Sequence, residues 1–329
     1  MIRVVPILLL LLTAPSKAGE ADYFNIYNVP NSSFNFGTWS IGMGAQSRIA
    51  TFCIASANYN NAFTLPPPAL TPTPVHENYQ VKTLSRYSVS GYYFFLDRND
   101  SNTGNARMSF TMEHRDTLDS NIWNTMSHDA YGLNQDGQFK GCKDGKNGRL
   151  RISIPVAQLE NARAGPYRAK LRIEGYGGSS QTVTDSDNFK ADITISDIVR
   201  VSGLTDIPFG IHTPGSDRTA ERTFCVYSNN DAGGYSITIS SPNQDGGGNF
   251  FLNGTADAIP YDVYFKDNTT AGFGTQVGAS PIAGTGNNAA SNCSNVDNAK
   301  ISVNVNDTEI VESKTGTYSD TLTILVAPN

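Results

Sequence analysis

Charge is scarce in this sequence. Only 16% of its 329 residues are Asp, Glu, Lys or Arg, which excludes a coiled coil and the charge-rich kind of disordered chain. There is no basic excess either. Lys and Arg number 24 against 30 Asp and Glu, a formal charge of −6, whereas a nucleic-acid binder needs a basic face. Past the first dozen residues no long apolar run exists, so no membrane span is expected in the mature chain. The four histidines, His76, His114, His128 and His212, are scattered and are expected mostly on the surface or in turns. No cysteine pair has CxxC spacing, so neither a zinc site nor a thioredoxin-like redox site is expected. Gly-x-Ser-x-Gly, a Walker loop and His-Glu-x-x-His are all missing. No catalytic residue, metal or cofactor is therefore assigned. Asp97 to Asn102 and Asn243 to Gly248 are rich in oxygen ligands, but the glycine and the closing glutamate of a calcium loop are misplaced. Hairpin turns are expected there instead.

What is present is turn chemistry and an export signal. Thirty glycines and 16 prolines punctuate the whole length, a composition that suits many short strands joined by turns. At the N-terminus Arg3 precedes an apolar stretch from Val4 to Leu12, too short to cross a bilayer core. Ser16, Lys17 and Ala18 follow with the small-x-small pattern of a cleavage site. Residues 1–18 are read as a signal peptide cut after Ala18, with Ala21 as a second candidate. The mature protein then meets an oxidising compartment, where its cysteines pair.

An internal repeat decides the organisation. Phe36-Gly37 is followed by Arg48 and then Thr51-Phe52-Cys53. Phe209-Gly210 is followed by Arg218, Arg222 and then Thr223-Phe224-Cys225. Cys142 precedes Gly165-Pro166-Tyr167 by 23 residues, and Cys293 precedes Gly316-Thr317-Tyr318 by the same 23. Two copies of one domain explain this spacing. Four cysteines allow three connectivities, and the repeat selects Cys53 with Cys142 and Cys225 with Cys293. On loop-entropy grounds each bridge contributes about 4–5 kcal/mol, less any strain.

Alternation marks strands. Leu150, Ile152 and Ile154 alternate with Arg149, Arg151 and Ser153. Tyr167, Ala169, Leu171 and Ile173 alternate with Arg168, Lys170 and Arg172. Such half-buried strands, with one disulfide per copy, predict an all-β protein of two immunoglobulin-like sandwiches. The best helical candidate is one short segment, Val156 to Ala162. The proline-rich segment Thr64 to Pro74 reads as an extended loop, and the boundary between copies is expected near Ile195 to Ile198. After its Gly-x-Tyr strand the first copy adds another alternating strand, Phe189, Ala191, Ile193 and Ile195. The second copy stops at Pro328-Asn329. It is expected to lack its last strand, with Leu322, Ile324 and Val326 lining an open groove that accepts a strand from another chain.

Truncated sandwiches with a cysteine pair and a C-terminal Gly-x-Tyr strand resemble the pilin domains of chaperone–usher fimbriae. Arg48 and Cys53, then Cys142, Gly148 to Leu159 and Gly165 to Ile173, resemble the adhesin domain of tip subunits of alternate (class 5) fimbriae. That group includes colonisation-factor minor pilins and the cable-pilus initiator. Phe224 to Asn229 and Gly316 to Ile324 resemble their pilin domain. The resemblance implies an adhesin domain over residues 19–196 and a pilin domain, the donor-strand acceptor, over residues 197–329. It implies export through the periplasm to a fimbrial tip at the cell surface. Its partners would be a periplasmic pilus chaperone gripping the carboxylate of Asn329, an outer-membrane usher, and a major pilin subunit donating a strand. The remaining partner would be a host glycan or other surface receptor. The short stretch between the cleavage site and Phe36 leaves no spare segment to donate onward, so tip placement is expected. A capping minor pilin without a receptor, and less favourably a secreted carbohydrate-active enzyme, are the alternatives.

Receptor chemistry points to the first copy. Residues 196–329 hold 6 basic against 14 acidic side chains, while residues 140–173 hold nine basic and two acidic ones. Arg168, Lys170 and Arg172 share one strand face, and a row of cations suits an anionic glycan. Arg48 matches, by its distance from Cys53, one member of the arginine cluster that related tip adhesins use. These four are the candidate receptor contacts. Some relatives also place a basic pair after the Gly-x-Tyr strand; here Gly177-Gly178 stand in its place.

Overall fold

The computed structural model describes residues 23–30, 34–59, 74–76, 78–85, 94–98, 107–118, 122–133, 135–136, 145–178 and 184–329. The expected signal peptide, Cys142 and nearly all of the proline-rich segment lie outside these residues. The fold is all-β, with two short helices among the described residues.

One group of strands joins into a single twelve-stranded sheet. It opens with β1 (Tyr23–Tyr27), β2 (Phe34–Trp39), β3 (Gln46–Tyr59), β4 (Pro74–His76), β5 (Asn78–Ser85) and β6 (Phe94–Arg98). β7 (Arg107–Asp116), β8 (Asn124–Met126), β9 (Gln135–Asp136) and β10 (Gly148–Ile154) follow. Helix α1 (Val156–Glu160) leads to β11 (Gly165–Gly177) and β12 (Thr184–Ile195). The main path runs β1-β3-β10-β7-β6-β11-β12-β2. The alternation in sequence sets which face is buried. Leu150, Ile152, Leu171 and Ile173 are fully enclosed, while Arg168 and Arg172 are exposed. β12 pairs antiparallel along β11, Gly165 opposite Ile195, and parallel to β2, Ala191 opposite Phe34. It buries Phe189, Ala191, Ile193 and Ile195 in the core.

The second group comprises β13 (Val199–Ser202), β14 (Arg218–Ser228), β15 (Gly234–Ser240), β16 (Phe250–Asn253) and β17 (Ala258–Lys266). β18 (Thr275–Gln276), β19 (Ile282–Thr285), β20 (Ala299–Val305), helix α2 (Asp307–Glu312) and β21 (Thr323–Pro328) complete it. A sheet ordered β13-β14-β20-β17-β16 packs against a three-stranded sheet ordered β19-β15-β21. No strand of one group pairs with a strand of the other among the described residues. Helix α2 was not foreseen, although its N-cap is readable: the Asn306 side chain accepts a hydrogen bond from the Thr308 amide at 2.9 Å.

The repeat is visible atom by atom. β10 pairs with β3, Gly148 opposite Phe52, and β20 pairs with β14, Ala299 opposite Phe224. Gly37 and Gly210, the glycines of the two Phe-Gly pairs, have φ of 73° and 71°, a conformation that favours glycine. The Tyr167 hydroxyl donates to the Arg163 carbonyl at 3.0 Å, and the Tyr318 hydroxyl to the Lys314 carbonyl at 2.6 Å. Both bonds reach back four residues, as in the tyrosine corner of immunoglobulin-type sandwiches. Cys225 and Cys293 are bridged, Cα atoms 5.9 Å apart. Cys53 is also disulfide-bonded.

Asn229 rivets the two groups together. Fully buried, its side chain accepts from the Ile198 amide at 2.7 Å. It donates to the carbonyls of Ala162 and Ser196 at 3.2 and 3.0 Å. Beside it Asp231 forms an ion pair with Arg98, which holds the Asp231 carboxyl below its usual range.

His114 departs from the surface or turn placement expected for most of the four histidines. It falls in phase with Met108, Phe110 and Met112 on β7 and is 4% exposed, between the rings of Phe52 and Tyr79. Burial pushes its pKa down to about 4. The unfolded chain, with an ordinary histidine near 6.5, binds the extra proton first. Stability is therefore intact above about pH 6.5 and falls by about 3 kcal/mol on acidification to pH 4. Urea unfolding across that window should show this slope, and His114→Gln should flatten it. An unchanged slope in the variant would assign the acid sensitivity elsewhere.

Candidate functional site

An open groove lies along β21. β21 pairs with β15 on one side, Ile239 opposite Ile324 and Ile237 opposite Val326, and its other edge is unpaired among the described strands. Facing that edge is the segment from Leu204 to Gly210, which belongs to no strand. Between them is a cavity of about 640 Å³. Leu322 and Ile324 line it, over a floor that includes Leu252, Tyr261, Ile301 and Val303. Val326 shares their half-buried face and packs on the same core cluster, but does not line the cavity. Alternation in β21 had pointed to the wall. The floor and the Leu204 to Gly210 segment were missed, because neither alternates next to the Gly-x-Tyr turn.

The first copy contains the same site filled. Counted from Gly165 and Gly316, Leu171 corresponds to Leu322 and Ile173 to Ile324. Leu171 and Ile173 are 3% and 0% exposed, covered by β12, whereas Leu322 and Ile324 are only half-buried. Phe36 is likewise buried, and its counterpart Phe209 is half-open. The groove is thus the volume that β12 occupies in the other copy.

Polar contacts fix the groove's ends. Asp320 accepts from the Tyr261 hydroxyl at 2.5 Å, the Ser241 hydroxyl at 2.6 Å and the Asn243 amide at 2.7 Å. Burial, reinforced by Asp320, raises the Tyr261 phenol, keeping it a neutral donor. At the far end of β21 the Asn329 side chain donates to the Tyr235 carbonyl at 2.8 Å, and its own carbonyl accepts from Asn230 at 3.2 Å. The expected chaperone anchor is therefore held against the start of β15.

The expected cationic row carries its own counter-ions. Arg168 pairs with Asp192 of β12 at 2.5 Å, and Lys190 approaches the same carboxylate at 3.6 Å. Arg172 sits 3.5 Å from Glu174 and donates to Ser186 at 2.9 Å. Lys170 lies opposite Lys190 in the β11–β12 register. Arg48 is on a different strand, β3, exposed, with its guanidinium 5.9 Å from the Phe36 ring centre.

No family model matches the chain, and no curated protein matches it. Solved structures do. A chain of the chaperone–tip adhesion subunit complex CsuC–CsuE, from the archaic chaperone–usher Csu pili of Acinetobacter baumannii, matches at 12% identity. It covers 92% of this chain and 99% of that one, with a TM-score of 0.43. CfaE, the adhesive subunit of CFA/I fimbria of enterotoxigenic Escherichia coli, matches at 9% identity over 90% and 98%, with a TM-score of 0.33. The CupB6 tip adhesin of Pseudomonas aeruginosa matches at 8% identity over 94% of each chain, with a TM-score of 0.33.

Proposed function

We propose that this protein is the tip subunit of a chaperone–usher fimbrium. Residues 197–329 form the donor-strand acceptor, and residues 19–196 present the receptor-binding surface, initiating assembly and mediating adhesion. The observation that carries this reading is the contrast between the copies. One sandwich is closed by β12, and in its twin the β21 edge is unpaired among the described residues, over half-exposed core residues. An apolar groove beside an unpaired strand edge is completed by adding a strand. In the periplasm that strand comes from a pilus chaperone, with Asn329 as anchor. At the outer-membrane usher a major pilin subunit replaces it. The receptor is a glycan of the host surface, with Arg48, Arg168, Lys170 and Arg172 as contacts read from sequence.

The test is assembly. Co-produced with its cognate chaperone, usher and major pilin, the tagged full-length protein should appear once per fibre, at one end, and beads coated with it should adhere to host cells. Fibres of normal number without it would overturn the initiating role. Tip placement without adhesion would leave only a cap.

A further inference from the structure

A second surface of the first group, distinct from the row on β11, gathers arginines around one tryptophan. Arg149 and Arg151 on β10 and Glu113 and Arg115 on β7 alternate with the buried Leu150, Ile152, Met112 and His114, so the four share the outward face. In register, Arg149 stands opposite Arg115 and Arg151 opposite Glu113. Trp123 lies immediately before β8, the strand that pairs with β7. Its ring centre is 4.7 Å from the Arg115 guanidinium carbon and 4.4 Å from that of Arg151. Glu113 takes Arg151 at 2.6 Å. Among the described residues neither Arg115 nor Arg149 makes an ion pair, and the Nε of each is buried without a hydrogen-bond partner.

This arrangement costs stability. Like charges directly opposite on neighbouring strands repel, and the indole contact compensates Arg115 but not Arg149. Three guanidiniums against one carboxylate leave an excess of positive charge in an acidic protein. Next to them on the same face lie hydroxyls, with Ser153 opposite both Ser47 and Thr111. A patch this small is no nucleic-acid stripe, which needs many phosphate contacts.

We propose that this face binds an acidic polysaccharide, with a carboxylate or sulfate seated between Arg149 and Arg115 and a pyranose ring packed on the exposed part of Trp123. Guanidiniums pair with such oxyanions in a planar, two-pronged geometry, and the apolar C–H face of a sugar suits an aromatic ring. The inference rests on the reading of this half as the receptor-binding one.

The experiment uses the full chain with a donor strand fused after Asn329, so that both halves are complete. Binding is measured to heparin, to alginate, which carries carboxylates only, to dextran sulfate, which carries sulfates only, and to neutral dextran. At least one acidic polymer should bind and dextran should not, the alginate and dextran sulfate arms separating the two anions. Arg149→Ser and Trp123→Ala should each weaken binding about tenfold or more, as for contacts at the centre of an interface. Lys314→Ser, which removes an exposed cation from the other group of strands, should stay within about twofold. Arg149→Ser should melt no lower than the parent, which separates lost contact from lost fold. Parent-level binding by the Arg149 and Trp123 variants, or binding of dextran equal to that of the acidic polymers, would overturn the proposal. A fusion that is thermally stabilised yet binds no acidic polymer overturns this site alone. A fusion that gains no stability overturns the fimbrial reading.

Discussion

A nine-residue copy of residues 187–195, fused after Asn329 through a flexible linker, should raise the melting temperature of the second sandwich by about 10 °C or more. The sequence of the donor comes from the protein itself. In the first copy Phe189, Ala191, Ile193 and Ile195 already seal the equivalent face. Burying about 400 Å² of apolar surface in the groove contributes roughly 10 kcal/mol at 25 cal/mol per Å². New ladder hydrogen bonds along the β21 edge add about 1 kcal/mol each. Against this, ordering the donor costs about 1–2 kcal/mol per residue. With about four ladder bonds and an ordering cost at the lower end of that range, the surplus is a few kcal/mol, and in a unit of this size each kcal/mol moves the midpoint by about 3–5 °C. The control keeps the linker and replaces the four inward residues with Asn. Calorimetry should show the shift for the donor and not for the control, and the unfused chain should aggregate on concentration. Identical midpoints for fusion, control and unfused chain would mean that the groove is not an acceptor.

Much of this was legible because strand alternation and fixed spacing are local. β10 and β11 announced themselves through Leu150, Ile152, Leu171 and Ile173, and the Cys to Gly-x-Tyr spacing exposed the twin copies. The groove wall followed from β21, but its opposite side did not. Leu204 to Gly210 faces β21 only through tertiary packing, and nothing periodic marks it. The basic excess of residues 140–173 is plain from composition, but which of those cations carry counter-ions is not local information. Asp192 and Ser186, which occupy Arg168 and Arg172, arrive from β12 some 14 to 24 residues away. Trp123 reaches Arg115 and Arg151 only because a three-residue strand, β8, pairs with β7. The burial of His114 shows only in its phase on β7, in step with Met108, Phe110 and Met112, because histidine as a residue type favours partly exposed positions.

Replacing Asn147 or Asn298 with Ala should cost far more than an ordinary surface substitution. Each asparagine stands five residues after the second cysteine of its copy, just before the strand that pairs with the first cysteine's strand. Asn147 accepts from the Ile54 amide at 2.9 Å and donates to the Ile54 carbonyl at 3.1 Å. Asn298 accepts from the Val226 amide at 2.8 Å and donates to the Val226 carbonyl at 2.9 Å. The side-chain amide acts as one further rung, continuing each ladder past the point where β10 or β20 begins. Loss of the side chain strands a buried N–H, at about 1–3 kcal/mol; the Val226 carbonyl still accepts from the Asn287 amide at 2.9 Å. Asn298→Ala should therefore cost about 1–3 kcal/mol. Asn147→Ala should cost somewhat more, because its amide also donates to the buried Asp116 carboxylate at 2.7 Å, whose other oxygen-bound partners include the Tyr79 hydroxyl at 2.5 Å. Aspartate separates the two sites. Asn147→Asp sets a second carboxylate against Asp116 and should be worse than Asn147→Ala, whereas Asn298→Asp has no such neighbour among its contacts and should be no worse than Asn298→Ala. Urea titration of the four variants in the donor-fused protein reads both differences. Losses below about 0.5 kcal/mol, the level of ordinary surface substitutions, would show that water replaces the rung and that the shared asparagine is not what locks the two ladders.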